Sequence, residues 1–173
     1  VLTVKAQDGT YQDDWTTGSD GTVSLRVEPG TYEVTEKSVP APYYLPDKDA
    51  DRTQTITLSP GDEKTLVFRN RKAPEVTIFK ENSITGEPIE HAKFHITYTS
   101  NGEAAEAPAT IDYGEAFTDS RGEIKVHELG KRLYPGEFTI TEVEPADGFQ
   151  LKEPITQTVI IHGNESKTVR FLL

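Results

Sequence analysis

The chain has 173 residues, 34% hydrophobic and 27% charged, with a formal net charge of −11 at pH 7. So acidic a chain is repelled by phosphate backbones and anionic lipid, and no apolar run approaches a bilayer span, so neither nucleic acid nor membrane insertion is expected. Cysteine is absent, which excludes disulfides, thiolate metal sites and cysteine nucleophiles together.

Helix signals are nearly missing. Short runs rich in Thr, Val and Tyr alternate with clusters of Gly, Pro, Asp and Asn, the pattern of an all-β sandwich of short strands. The first residue is Val and no leader is visible, so the chain reads as an internal piece of a longer protein. In "VLTVKA" (Val1–Ala6), Leu2, Val4 and Ala6 share one face and Lys5 falls on the other. "TTGSDGTVSL" (Thr16–Leu25) reads as a hairpin turn between strands. "PGTYEVTE" (Pro29–Glu36) is a turn followed by a strand, whose inward row runs Tyr32, Val34 and then Glu36. "DKDAD" (Asp47–Asp51) spaces its acids like a calcium loop, but an EF-hand needs Gly and Glu where Arg52 and Leu58 stand, so a solvated loop is expected. "QTITLSPGDEKTLVFRN" (Gln54–Asn70) ends in a strand with Leu66, Phe68 and Asn70 on one face. "RKAPE" (Arg71–Glu75) is a short join stiffened by Pro74.

The second half repeats the first. "AFTDSRGEIKV" (Ala116–Val126) matches Thr16–Leu25. "PGEFTITE" (Pro135–Glu142) matches Pro29–Glu36, with Phe138, Ile140 and Glu142 as its inward row. "QTVIIHGNESKTVRFLL" (Gln157–Leu173) matches Gln54–Asn70. Two domains follow, residues 1–71 and 75–173. The second opens with two strands, near Val76–Lys80 and Ala92–Tyr98, where the first has one. Val76, Ile78 and Lys80 share a face. The parity of Val1–Ala6 fits the second of these strands, so the first domain is expected to lack its first strand.

Lys80, Glu142 and an Asn at neighbouring strand ends form a reactive set. Burial disfavours the charged form of an amine and of a carboxyl. A neutral amine attacks a carboxamide carbon while a protonated carboxyl polarises the carbonyl and relays protons as ammonia leaves. The product is a Lys–Asn isopeptide bond, formed once and without turnover.

These residues resemble the Cna-B, or SpaA-type, prealbumin-like repeats of Gram-positive surface adhesins and pilins. The resemblance is carried by "TIFKENSITGEPIEHAKFHI", "FTITEVEPADGFQL" and "YEVTEKSVPAPYYL", with "VFRN" closing the first unit, and it covers nearly the whole chain. It implies tandem seven-stranded prealbumin-like (Ig-like) sandwiches, often crosslinked by this bond, in a stalk or adhesive role on the cell wall. It further implies that Glu36 and Glu142 are the catalytic glutamates, Lys80 the reactive lysine and Asn70 the acceptor. Lys5 is a weak substitute lysine because of its parity, and Leu173 stands where an acceptor would align. As given, neither unit holds all three groups. No bond is therefore expected, and Lys80 is expected to pair with Glu142.

The leading expectation is a structural stalk module outside the cell, partnered by neighbouring domains of the same surface protein. The alternative is an adhesive module whose loops, such as Asn101–Tyr113, recognise a host matrix protein or glycan. A carrier or enzyme is suggested by fold alone, and no elbow serine or Gly-rich loop supports one. No cofactor or metal is expected; His91, His95, His127 and His162 are scattered. "RGE" (Arg121–Glu123) is read as turn chemistry, and Trp15 as a half-buried strand residue.

Overall fold

A computed structural model describes residues 1–46 and 48–173. It divides into two compact units, Val1–Lys72 and Ala73–Leu173. Among the described residues the only helical pieces are two short 3-10 turns, Asp49–Arg52 and Val126–Glu128. Asp47 lies outside the described residues; Asp49 pairs with Arg52 within the first of these turns.

Unit one contains β1 (Leu2–Ala6), β2 (Gln12–Trp15), β3 (Gly30–Glu36), β4 (Tyr43–Tyr44), β5 (Thr53–Leu58) and β6 (Arg71–Lys72). Four of these form one sheet in the order β2-β1-β3-β5, and β4 pairs with β6. Unit two contains β7 (Glu75–Glu81), β8 (Lys93–Thr99), β9 (Thr110–Phe117), β10 (Glu123–Lys125), β11 (Gly136–Glu144), β12 (Thr156–Ile161) and β13 (Ser166–Leu172). Its seven strands make two sheets, β12-β11-β8-β9 and β10-β7-β13. Strand alternation sends Val76 and Ile78 of β7, Phe94 and Ile96 of β8, Phe138 and Ile140 of β11, and Val169 and Phe171 of β13 into one core between the sheets.

The registers make the two units comparable. In unit two β8 lies antiparallel to β11, with Ile96 opposite Ile140 and Phe94 opposite Glu142. In unit one β1 lies antiparallel to β3, with Val4 opposite Val34 and Leu2 opposite Glu36. So β1 is the counterpart of β8, and among the described residues of unit one no strand is the counterpart of β7.

That strand is central in unit two. It pairs antiparallel with β10 and parallel with β13. Unit one therefore departs from the sequence reading at two places. The strand expected after the turn of Thr16–Leu25 and the closing strand carrying Leu66, Phe68 and Asn70 do not form: residues 22–28 and 62–70 hold no strand. Their phrases match β10 and β13, but the strand that would bond to both is not there. A further difference concerns the turn in Ala116–Val126. It joins strands of different sheets, β9 and β10, so it is a corner and not a hairpin. Buried Thr118 holds the corner, its hydroxyl donating to Ile89 O and accepting from Ala92 N.

Candidate functional site

The inward row of β11 ends at Glu142, and that of β7 at Lys80. The two strands belong to opposite sheets, so their side chains meet across the sandwich. Lys80 Nζ donates to Glu142 Oε2 at 2.8 Å, with both residues buried, 0% and 1% exposed. The floor is aromatic. Phe171 lies beside Lys80 in the β7–β13 ladder and Phe94 lies opposite Glu142, their rings in edge contact at 4.8 Å. Removing two charges from water in such surroundings costs several kcal/mol each, roughly, which mutual pairing must offset.

The other carboxylate oxygen, Glu142 Oε1, is buried and accepts nothing. In unit one, a glutamate oxygen, Glu36 Oε1, accepts from the Asn70 amide. Position 173 of this chain is Leu173, half-buried against the core. Its backbone is fixed beside the end of β7, since Leu173 N donates to Glu81 O at 3.0 Å and Ser83 N donates to Leu173 O at 2.9 Å.

Unit one shows the complement. Glu36, 8% exposed, ends the inward row of β3. Asn70 Nδ2 donates to Glu36 Oε1 at 2.9 Å, while Asn70 Oδ1 is buried without a partner. Among the described residues no lysine side chain is seen bonded to either. Lys5 lies on the exposed face of β1, opposite Val4 and Ala6, as its parity requires. The structure thus brings Lys80 to Glu142 and Asn70 to Glu36. It brings Lys5 to neither.

Gly122, within the turn at Arg121–Glu123, also supports the site. Lys80 N donates to Gly122 O at 2.8 Å. Gly122 has φ +71°, and a Cβ there would lie 2.5 Å from Lys80 O. Only glycine lets the corner close onto β7 at the lysine. The repeat offers the signal, because Gly21 occupies the same place in Thr16–Leu25; its φ is +78°, yet a Cβ there meets nothing within 4 Å. Trp15 is half-buried against the unit-one core, its Nε1 donating to Tyr11 OH at 2.8 Å. Among the described residues, no group of three or more His, Asp or Glu is placed to hold a metal ion.

The family model for the SpaA prealbumin-like fold domain matches twice, over residues 1–72 and 74–171. The chain belongs to this family. Both halves are SpaA-type units, and the chain is all-β with two tandem prealbumin-like sandwiches. Among solved structures, it is similar to the Bacillus anthracis TIE protein, with 21% identity over 99% of this chain and 29% of that one, at a TM-score of 0.43. It is also similar to a Streptococcal ancillary pilin, with 16% identity over 84% of this chain and 45% of that one, at 0.48. A third is the shaft pilin SpaA from Lactobacillus rhamnosus GG, with 13% identity over 99% of this chain and 91% of that one, at 0.47. The chain spans less than half the length of the first two. No curated protein matches. No helix of the described residues is long and apolar enough to cross a membrane.

Proposed function

We propose that this chain is a structural stalk module of a cell-wall-anchored adhesin or pilin on a Gram-positive surface, of the type stabilised by an autocatalytic Lys–Asn isopeptide bond. The observation that carries this reading is the matched pair of partial clusters, Lys80 with Glu142 and Asn70 with Glu36, at equivalent places in two SpaA-type units. Where all three groups meet, the neutral lysine Nζ attacks the Asn Cγ. The Cγ–Nδ2 bond breaks, the amine proton passes through the carboxyl to the leaving nitrogen, and ammonia departs. The glutamate ends as it began and the bond forms once, so no diffusible substrate is turned over. A crosslink closing most of one unit constrains the unfolded chain by roughly 4–5 kcal/mol on the entropic account. The partners in this role are neighbouring domains of the same surface protein.

The chain itself is expected to show its full sequence mass, because neither unit holds three groups. Leu173→Asn supplies the third group to unit two. Its intact mass is expected to fall by one ammonia, with fragmentation linking Lys80 to position 173. The same change combined with Glu142→Gln is expected to keep the full mass. A folded Leu173→Asn chain of unchanged mass would sink the crosslinking part of the reading.

The adhesive alternative draws less support from the loop that suggested it. Glu103 is engaged by His162 and Gly163, Glu106 by Arg132, and Ala104 is buried. Arrays of matrix proteins and glycans are expected to show no binding. Specific binding abolished by changes within residues 101–113 would move the assignment to adhesion.

A further inference from the structure

The connection from β8 to β9 contains Asn101–Gly102, and no other asparagine of the chain precedes a glycine. The backbone nitrogen after an asparagine can attack the side-chain carbonyl and close an imide ring. A folded chain usually opposes this in two ways. A side chain on the following residue crowds the attack, and the following amide is held in a backbone hydrogen bond. The other asparagines meet these obstacles. After Asn82, Ser83 N donates to Leu173 O at 2.9 Å, and after Asn164, Glu165 N donates to His162 O at 3.0 Å. After Asn70 comes Arg71, bulky and within β6, while the Asn70 amide is given to Glu36.

Asn101 meets neither obstacle. Gly102 sits at φ +82°, and a Cβ there would meet nothing within 4 Å. Among the described residues its N–H donates to the Ser100 hydroxyl, at 3.2 Å, and to no backbone carbonyl. The carbonyl under attack is prepared too. Asn101 Oδ1 accepts from Glu103 N at 3.0 Å, so a donor already points at the oxygen on which negative charge collects. Asn101 and Gly102 are both exposed, and water reaches them.

The turn also positions a fastening. Glu103 Oε1 accepts from Gly163 N at 2.7 Å and Glu103 Oε2 meets His162 Nδ1 at 2.9 Å, which ties this connection to the β12–β13 turn. Ala104, the next residue, is buried.

We propose that Asn101–Gly102 is a self-modification site, whose conversion to aspartyl and isoaspartyl forms unfastens Glu103 from the β12–β13 turn. Gly102 N attacks Asn101 Cγ, and the Cγ–Nδ2 bond breaks. The proton lost from Gly102 N passes to solvent, solvent returns one to Nδ2, and ammonia leaves. Water then opens the imide at either carbonyl. Opening at the Asn101 backbone carbonyl routes the main chain through Cβ and Cγ, one carbon longer, and leaves a free carboxylate. Glu103 N loses its acceptor, the spacing from Ser100 to Glu103 changes, and the new charge repels the Glu103 carboxylate.

The test ages the full chain in mildly alkaline buffer and follows intact mass, peptide maps and the Gly163 amide resonance. The expected mass change is the loss of ammonia and gain of water, mapped to residue 101, with Asn70, Asn82 and Asn164 unchanged. Its rate is expected to fall within roughly tenfold of that in a free peptide spanning Tyr98–Glu106, a small difference in barrier. The Gly163 resonance is expected to move in step with the conversion. Asn101→Gln, which would have to close a larger ring, is expected to keep both its mass and its Gly163 resonance. Isomerisation at Asp8–Gly9, Asp20–Gly21 or Asp147–Gly148 leaves the mass unchanged and does not count. A greater slowing than that in the folded chain, or earlier conversion at another asparagine, would overturn the site. Conversion at residue 101 with an unmoved Gly163 resonance would uphold the site and overturn the release.

Discussion

Units one and two share a four-stranded sheet, a glutamate at the end of the same inward strand, and nearly the same turns. They differ in the second sheet: among the described residues of unit one, the segments matching β10 and β13 are not strands, and β7, its middle member, has no counterpart. Its absence costs two ladders, because both neighbours lose their partner at once. It also costs a core. Among the described residues of unit one only Val4, Ala6, Tyr32 and Val34 are buried apolar residues, whereas unit two buries an apolar set drawn from both of its sheets. A sheet removed at its centre is a larger loss than one trimmed at its edge, since edge strands satisfy only one side.

The largest expected effect breaks or confirms that contrast directly. Amides of residues 23–27 and 64–70 should exchange roughly a thousandfold or more faster than those of β7 and β11, because local opening ranges from nearly free to the global stability. Comparable rates in the two units would remove the contrast.

Next in size is the buried pair. Lys80→Met should cost unit two about 3–5 kcal/mol in a urea titration, by leaving Glu142 buried and alone. The double change Lys80→Met with Glu142→Leu should recover most of that loss, since an apolar pair of similar volume needs no desolvation. Equal losses in the single and double variants would show that the pair contributes more than mutual compensation.

The two glycines sharpen the comparison further. Gly122→Ala meets both left-handed strain and Lys80 O, for a cost of about 2–4 kcal/mol. Gly21→Ala meets the strain alone, about 1–2 kcal/mol. If both cost the same, the space beside Gly21 is not open.

The smallest effect concerns acid. The His162 ring beside Glu103, helped by the Gly163 amide, holds the Glu103 carboxyl below the usual range. A depressed carboxyl adds stability above its unfolded pKa and loses it as pH falls through the folded one. Below the ordinary carboxylate range the tie between the β8–β9 connection and the β12–β13 turn should therefore loosen, and the Gly163 amide resonance should titrate with it. In unit one, Asp8 is likewise lowered, first by the Thr10 hydroxyl, but that contact stays within one turn and ties nothing distant. An unmoved Gly163 resonance would refute the tie.

Much of this contrast was legible in residue order. The period-2 rows of Pro29–Glu36 and Pro135–Glu142 place both glutamates inward, and the parity of Val1–Ala6 matches β1 to β8. The same alternation runs through the end of Thr16–Leu25 and through Leu66, Phe68 and Asn70, where no strand forms. A strand's pattern records which side chains face the core, but strand formation also needs a bonded neighbour, and the neighbour's absence lies elsewhere in the sequence. The corner at Thr118 was misread for a related reason. A Gly-containing turn between two strand patterns looks alike whether the strands rejoin one sheet or part into two. The close approach at Gly122 depends on a contact distant in sequence, with Lys80 O.

One feature of unit two bears on how it resists a pull. Its first strand, β7, and its last, β13, lie side by side and parallel. Tension applied at the two ends of the unit draws these strands past each other along their length. The ladder is then loaded in shear, with its hydrogen bonds sharing the force together, instead of unzipping one after another from an end.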